Sequence, residues 1–350
     1  MEEIKNTRVL LAERPVGEPQ QKNFTIETIP VRELEQGEIL IKVVWLSLDP
    51  YMRGRMSDAP SYAKPVEIGE VMQGESAGRV IATKSDKFVV GDTVTAHTGW
   101  QSHIISHESN PSVVKRDADQ LPLSVYLHSA GMPGRTAYVG LHNLGKPQAG
   151  ETLVVSAASG AVGSVVGQIG KIKGCRVVGV AGGPEKCAYV VNELGFDVCV
   201  DYKAGNLEQD LKEACPQGID VYWENVGGAV TQAVAPLLNK GARVPVCGSI
   251  ANYNNTQFIE ENTPDYILSH APNPPMFKFF VVSEYVEQWP EAMRDLTQWI
   301  KEGKIKYRES IIQGIESAPE GLRDLLRGQN FGKQLVRISE DWNARTPKLD

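Results

Sequence analysis

No cysteine occurs before Cys175, and the five that follow (Cys175, Cys187, Cys199, Cys215, Cys247) include no Cys-x-x-Cys pair. An odd number of widely spaced thiols argues against a disulfide framework and a zinc knuckle alike, and the cysteine-free N-terminal half cannot supply a four-cysteine zinc lobe. No apolar run reaches the ~18 residues of a membrane span, and Met1-Glu2-Glu3-Ile4-Lys5 lacks the basic start and apolar core of a signal peptide. Clustered basic residues are missing too. The 36 Lys and Arg stand against 43 Asp and Glu, a net charge of -7 with a pI near 5.5, which disfavours a polyanion partner. These absences predict a cytoplasmic protein that binds neither nucleic acid nor membrane.

What is present points to two domains. A chain of 350 residues with 41% apolar residues exceeds the size at which one core usually divides. From about residue 8 to 115, short β-rich runs such as Ile39-Leu40-Ile41-Lys42-Val43-Val44-Trp45 and Val94-Thr95-Ala96-His97 are broken by turns such as Val90-Gly91-Asp92, which reads as a barrel-like β domain. A helical stretch is expected around 122–143. After Gly150 apolar strands at 152–157, 175–181, 196–201, 219–224 and 242–248 alternate with amphipathic helices, the pattern of a doubly wound parallel sheet. A helix at 289–302, a strand at 307–313, a helix at 319–327 and a strand at 331–338 close the chain.

The first alternating unit carries Val154-Val155-Ser156-Ala157-Ala158-Ser159-Gly160-Ala161-Val162-Gly163. A strand precedes it, and Val162, Val166 and Ile169 continue it at helical spacing, so Ala158-x-Gly160-x-x-Gly163 bridges strand and helix as a dinucleotide loop does. Two of the three glycines remain: one lets backbone N–H groups approach a pyrophosphate, the other permits close helix packing. The tight-turn position has gained a methyl at Ala158. The next strand ends in Gly182-Gly183-Pro184 without the acid that usually holds an adenosine ribose, and Glu185-Lys186 follows with a cation. This predicts NADPH rather than NADH.

The set Leu48-Asp49-Pro50-Tyr51-Met52-Arg53, Gly131-Met132-Pro133-Gly134, Ala157 to Gly163, Glu224-Asn225-Val226-Gly227-Gly228 and Asn330-Phe331-Gly332-Lys333 resembles the zinc-independent medium-chain dehydrogenase/reductases. Within them it is similar to the prostaglandin reductase and alkenal double-bond reductase branch, notably the bacterial NADPH-dependent curcumin reductases. The resemblance spans about residues 8–338 and implies an α/β fold: a GroES-like β-barrel domain over 1–128, a Rossmann-type NADP-binding domain over 129–305, and a return of 306–350 to the first domain. It implies cofactor contacts at Met132, Thr136, Gly160, Ala161, Val162, Gly163, Lys186, Tyr202, Asn225, Cys247, Gly248, Ser249, Ile250, Tyr253, Phe280, Val281, Val282 and Asn330. Arg135 departs from the pattern, which usually has an apolar residue there. A homodimer is what such relatives suggest.

The implied reaction is NADPH-dependent reduction of the carbon–carbon double bond of an α,β-unsaturated ketone, curcumin-like or of the alkenal/one type, by hydride transfer to the β-carbon. No metal is expected. Where zinc alcohol dehydrogenases carry Gly-His-Glu this chain has Gly74-Glu75-Ser76, their first cysteine falls in the Ser47-Leu48-Asp49 stretch, and the six histidines show no ligand spacing beyond His103 and His107. Charge then develops on an enolate oxygen, where a hydrogen-bond donor helps. Tyr253 is the expected donor, because a phenol titrating near ~10 stays protonated at neutral pH; Tyr51 and Tyr62 are further candidates for the substrate cleft. No residue stands out as proton donor to the α-carbon. A quinone reductase of the same fold and a non-catalytic NADPH-binding protein remain as alternatives.

Overall fold

The computed structural model describes residues 3–340. Two units divide the chain. Of the described residues, one takes in 3–127, Ser310–Gln329 and 334–340; the other comprises His128–Glu309 with Asn330–Lys333.

The first unit begins with a hairpin of β1 (Lys5–Leu11) and β2 (Phe24–Pro30). A second sheet follows from β3 (Glu38–Ser47), which leads into the short helix α1 (Tyr51–Arg55), and from β4 (Ser76–Thr83), β5 (Thr93–Ala96), β6 (His103–His107) and β7 (Val114–Lys115). Its core is built from Leu46, Leu48, Met52, Met56 and Trp100, joined by Leu322 and Val336 from the C-terminal segment.

Instead of one helix around 122–143, there is a 3-10 turn at Leu123–Leu127 and then α2 (Met132–Gly140). Pro133 belongs to the first turn of α2, where its missing N–H costs nothing, and so marks a fresh helix start. Arg135, the residue out of pattern, lays its guanidinium 4.3 Å from the centre of the Trp289 ring, so a cation–π contact replaces the apolar packing expected there.

The second unit then alternates strand and helix: β8 (Thr152–Ser156), α3 (Gly163–Ile172), β9 (Arg176–Ala181), α4 (Pro184–Asn192), β10 (Val198–Asp201), α5 (Leu207–Ala214), β11 (Ile219–Trp223), α6 (Gly228–Val234), β12 (Leu238–Val246), α7 (Pro264–Ser269), β13 (Met276–Phe279) and α8 (Trp289–Lys301). The strands are parallel in the order β10-β9-β8-β11-β12-β13, third-second-first-fourth-fifth-sixth along the chain. Side chains on a strand alternate faces, and both faces here are apolar: Val155, Val177 and Val221 enter one core while Val154, Val178 and Tyr222 enter the other. The sixth strand, β13, was not anticipated. Its residues sit on the open edge with Met276 and Phe279 exposed, so they lack the continuous burial pattern of the inner strands.

The chain ends with β14 (Glu309–Gln313), α9 (Ala318–Leu326) and β15 (Lys333–Arg337), and β15 pairs antiparallel with β3. Among the described residues no helix is long and apolar enough to cross a membrane.

Candidate dinucleotide and active site

The order of the six parallel strands reverses between β8 and β11, and ligands of such sheets bind beyond the carboxyl ends of the strands at that reversal. The loop after β8 lies there. Its left-handed residue is Ala157 (φ +50°), one position before Ala158, whose side chain is fully buried and whose N–H donates to the Val180 carbonyl at 3.0 Å. A non-glycine in this region costs about 1–2 kcal/mol. Gly163 is required by packing: a Cβ there would lie 2.4 Å from the Ala157 carbonyl oxygen, so only a bare backbone lets α3 begin so close to the turn. The Ser164 N–H donates to the Gly160 carbonyl and the Val166 N–H to the Val162 carbonyl, each at 3.0 Å, and the helix dipole favours an anion at this end.

The adenosine end forms where β9 and β10 finish. The turn after β9 holds no carboxylate, yet the parallel register sets Asp201 opposite Ala181, an acid that sequence reading did not count. Its Oδ1 accepts the Gly183 N–H at 2.8 Å and the Lys203 N–H at 2.9 Å, tying the two strand-end turns together. Tyr202 covers Gly182 so closely that a Cβ there would lie 2.8 Å from the ring. Burial holds the Lys186 ammonium below its ordinary pKa, and the neighbouring charge of Lys203 adds to that effect. Two lysines that repel one another are a ready receptor for a phosphate. Lys203 was overlooked, although its place directly after Tyr202 made it visible.

At the ends of β11 and β12 a buried carboxylate organises the backbone. Glu224 is fully buried; its Oε1 accepts the N–H groups of Val226 at 2.7 Å and Gly227 at 3.0 Å and the Tyr222 hydroxyl at 3.0 Å, while Oε2 accepts the Thr231 hydroxyl. Burial raises its pKa against the opposing pull of these donors. Asn225 is fixed to β8 through Ser156: its N–H donates to Ser156 Oγ at 2.8 Å and its Nδ2 to the Ser156 carbonyl at 2.7 Å. The segment from Cys247 docks on the same turn, with Cys247 N–H on the Glu224 carbonyl at 2.8 Å and Ile250 N–H on the Asn225 carbonyl at 3.1 Å. Tyr253 bends back so that a Cβ at Gly248 would lie 2.7 Å from its hydroxyl. The Cys247 thiol is pushed up to about 12 by burial and then by Glu224, so it is a neutral neighbour at physiological pH.

Asn225, Cys247, Gly248, Ser249, Ile250 and Tyr253 are thus assembled from two strand ends. The Phe280 side chain is buried edge-on against Trp223 at 5.7 Å, which leaves its backbone for a ligand. Val281 and Val282 follow it, and the Val282 carbonyl accepts the Trp289 indole N–H. On α2 the Thr136 hydroxyl donates to the Met132 carbonyl at 2.8 Å. Asn330 Nδ2 donates to the Gly332 carbonyl at 2.7 Å, and Gly332 pairs with Gly160, which ties this segment to the loop after β8.

Tyr51 and Tyr62 belong to the first unit. Tyr51 opens α1, and burial pushes its phenol well above the ordinary range, with Asp49 and Glu75 acting in the same direction. Tyr62 is exposed beneath the Arg55 guanidinium, 4.4 Å from the ring centre.

Fold and loop together define a dinucleotide-binding oxidoreductase architecture. Two family models match the chain: "N-terminal domain of oxidoreductase" over residues 7–114 and "Zinc-binding dehydrogenase" over residues 161–298. The chain is 48% identical over 341 residues to an NADPH-dependent curcumin reductase of Escherichia coli, covering 96% of this chain and 98% of the relative. It is 41% identical over 332 residues to a prostaglandin reductase 1 of Bos taurus, covering 92% and 96%. The crystal structure of CurA in complex with NADPH from Vibrio vulnificus superposes with a TM-score of 0.90 at 47% identity, covering 96% of this chain and all of that one. The chain belongs to the medium-chain dehydrogenase/reductase family, in the branch of the prostaglandin and curcumin reductases. The second model's description includes zinc, but its donor set does not fit here: among the described residues no three His, Cys, Asp or Glu gather where they could hold a metal ion.

Proposed function

We propose that this protein is an NADPH-dependent reductase of the carbon–carbon double bond in α,β-unsaturated ketones and alkenals. The observation that carries this reading is the joining, in one parallel-sheet unit, of a glycine loop, a two-lysine adenosine pocket and the Asn225–Tyr253 cluster, in a chain 48% identical to an NADPH-dependent curcumin reductase. In this reading Gly160, Ala161, Val162 and Gly163 receive the diphosphate, while Lys186 and Tyr202, with Lys203, receive the ribose 2′-phosphate. Asn225, the 247–253 segment, the backbone of Phe280 to Val282, Met132, Thr136 and Asn330 hold the nicotinamide half.

When bound, the reduced nicotinamide supplies a hydride for the β-carbon of the substrate. Tyr253 donates its hydroxyl proton in a hydrogen bond to the carbonyl oxygen, where negative charge collects as the double bond is reduced. Tyr51, kept protonated by its burial, and Tyr62 are substrate-binding residues. We propose a homodimer, supported by the place of β13 at the end of the six-stranded sheet with Met276 exposed, since an edge strand favours pairing with another chain. A cytoplasmic location agrees with five free cysteines, two of them buried and three half-buried.

The test follows oxidation of NADPH by the purified protein with a conjugated enone, a quinone and a saturated aldehyde, and of NADH in parallel. Turnover of the enone with NADPH is expected; consumption of the quinone alone would overturn the substrate class. Tyr253→Phe should lower kcat on the enone by about 10²-fold, the order found for loss of one oxyanion donor. An unchanged kcat would remove Tyr253 from the reaction.

A further inference from the structure

The diphosphate loop brings no side-chain cation of its own. Ser159-Gly160-Ala161-Val162-Gly163 offers the positive end of the ten-residue helix α3, equivalent to about half a charge, and backbone N–H groups ahead of it, of which that of Gly160 is held by the Ala157 carbonyl at 3.0 Å. A neighbouring segment supplies what the loop lacks. Gly160 forms a parallel bridge with Gly332, and the Lys333 N–H donates to the Arg308 carbonyl at 2.8 Å. Gly332 has φ +81°, and a Cβ there would lie 2.0 Å from the Arg308 carbonyl oxygen, so only glycine lets these two stretches of backbone run in contact. Arg308 is thereby held one strand away from the loop.

Its side chain is also held. The guanidinium carbon lies 3.8 Å from the centre of the Phe331 ring and 5.8 Å from that of Tyr189, which stands edge-on to Phe331 at 5.1 Å. Stacking occupies the flat face of a guanidinium and leaves its in-plane N–H donors available. Arg308 is exposed, and among the described residues its guanidinium has neither a hydrogen bond nor an ion pair. A cation stacked on an aromatic ring, with its fork of donors unused, beside a loop built for phosphate, is suited to bidentate recognition of an anion.

We infer that Arg308, steadied on Phe331, is a further cofactor-binding residue that takes the diphosphate of the dinucleotide. This rests on the dinucleotide reading of the site. The diphosphate is favoured over the 2′-phosphate because Gly332 ties Arg308 to Gly160, whereas Lys186 and Lys203 stand at the turns after β9 and β10. The two phosphates are chemically separable: NADPH and NADH share the diphosphate, and adenosine 2′-monophosphate carries only the other group.

Calorimetric titration of these three compounds into the wild-type protein, Arg308→Ala, Arg308→Lys and Lys186→Ala provides the test. Arg308→Ala should weaken NADPH and NADH alike by about tenfold and leave adenosine 2′-monophosphate unchanged, the size expected for loss of one partly exposed charged contact. Arg308→Lys, which keeps charge but not the fork, should fall between, with an unaltered thermal midpoint in both Arg308 variants. Lys186→Ala should weaken NADPH and the monophosphate while sparing NADH. Dinucleotide affinities within about twofold of wild type in Arg308→Ala would overturn the inference. So would a loss confined to NADPH and the monophosphate, which would move Arg308 to the 2′-phosphate. If the wild-type protein bound neither dinucleotide, the dinucleotide reading itself would fall, and this inference with it.

Discussion

The two ends of the ligand face are each organised by one carboxylate, in opposite ways. Asp201, at the adenosine end, uses a single oxygen to join two backbone turns at the surface, and the lysines around it remain half-buried or exposed. Glu224, at the nicotinamide end, is sealed from water and spends both oxygens on two backbone N–H groups and three hydroxyls, those of Ser156, Tyr222 and Thr231. Water screens the first arrangement, so it can select a charged ligand without holding the fold together. The second is costly to disturb, because every donor it satisfies would be left buried and unpaired. Ligand choice and structural rigidity are therefore separated along one sheet edge.

The largest expected effect breaks the buried end. Glu224→Ala strands the Val226 and Gly227 N–H groups and the Tyr222 and Thr231 hydroxyls, and should lower unfolding free energy by more than about 3 kcal/mol in a denaturant titration. Glu224→Gln, which keeps an acceptor oxygen, should cost less. Equal losses for both would show that charge rather than hydrogen bonding organises the turn.

At the surface end the effect is on selectivity rather than stability. Lys186→Ala should raise the Kd for NADPH by about tenfold, leave that for NADH unchanged and barely move the denaturation midpoint. A matching loss for NADH would dissolve the contrast between the two ends.

The smallest effect is a pH dependence. The Lys186 pKa is lowered from its ordinary 10.5 by burial and by Lys203. A bound phosphate favours the ammonium form and would raise it again, so NADPH binding takes up a proton near the lowered pKa. NADPH affinity should therefore be full at neutral pH and decline as pH rises through the lowered value toward 10.5, while NADH, lacking the 2′-phosphate, should show a flatter profile. Parallel profiles would remove Lys186 from the phosphate.

Much of the site was legible in the chain because its signals are local. A strand, a glycine turn and a helix succeed one another from Thr152 to Ile172, and Lys186 follows a strand end that has no acid. Packing decides what local pattern leaves open. The motif puts its extra methyl at Ala158, whereas the backbone puts its positive φ one residue earlier, at Ala157, and the Ala158 methyl enters the core. The resemblance names Phe280 as a cofactor contact, and only packing shows that its ring lies edge-on against Trp223, which leaves the backbone for that contact. Glu224 stood in a quoted motif without a role, since nothing in Glu-Asn-Val-Gly-Gly says that its carboxylate turns inward.

By itself the sequence determined the alternating strands and helices, the glycine loop and the family to which the chain belongs, because periodicity and turn chemistry act over a few residues. Only the tertiary structure decided which distant residues share a task. Asn225 meets Ser156 across 69 positions, Asp201 lies beside Ala181, and Arg308 is brought by Gly332 to the loop at Gly160. Those meetings follow from strand order and register, which crossover connections and two buried faces impose on the whole sheet at once, and no short stretch of residues encodes them.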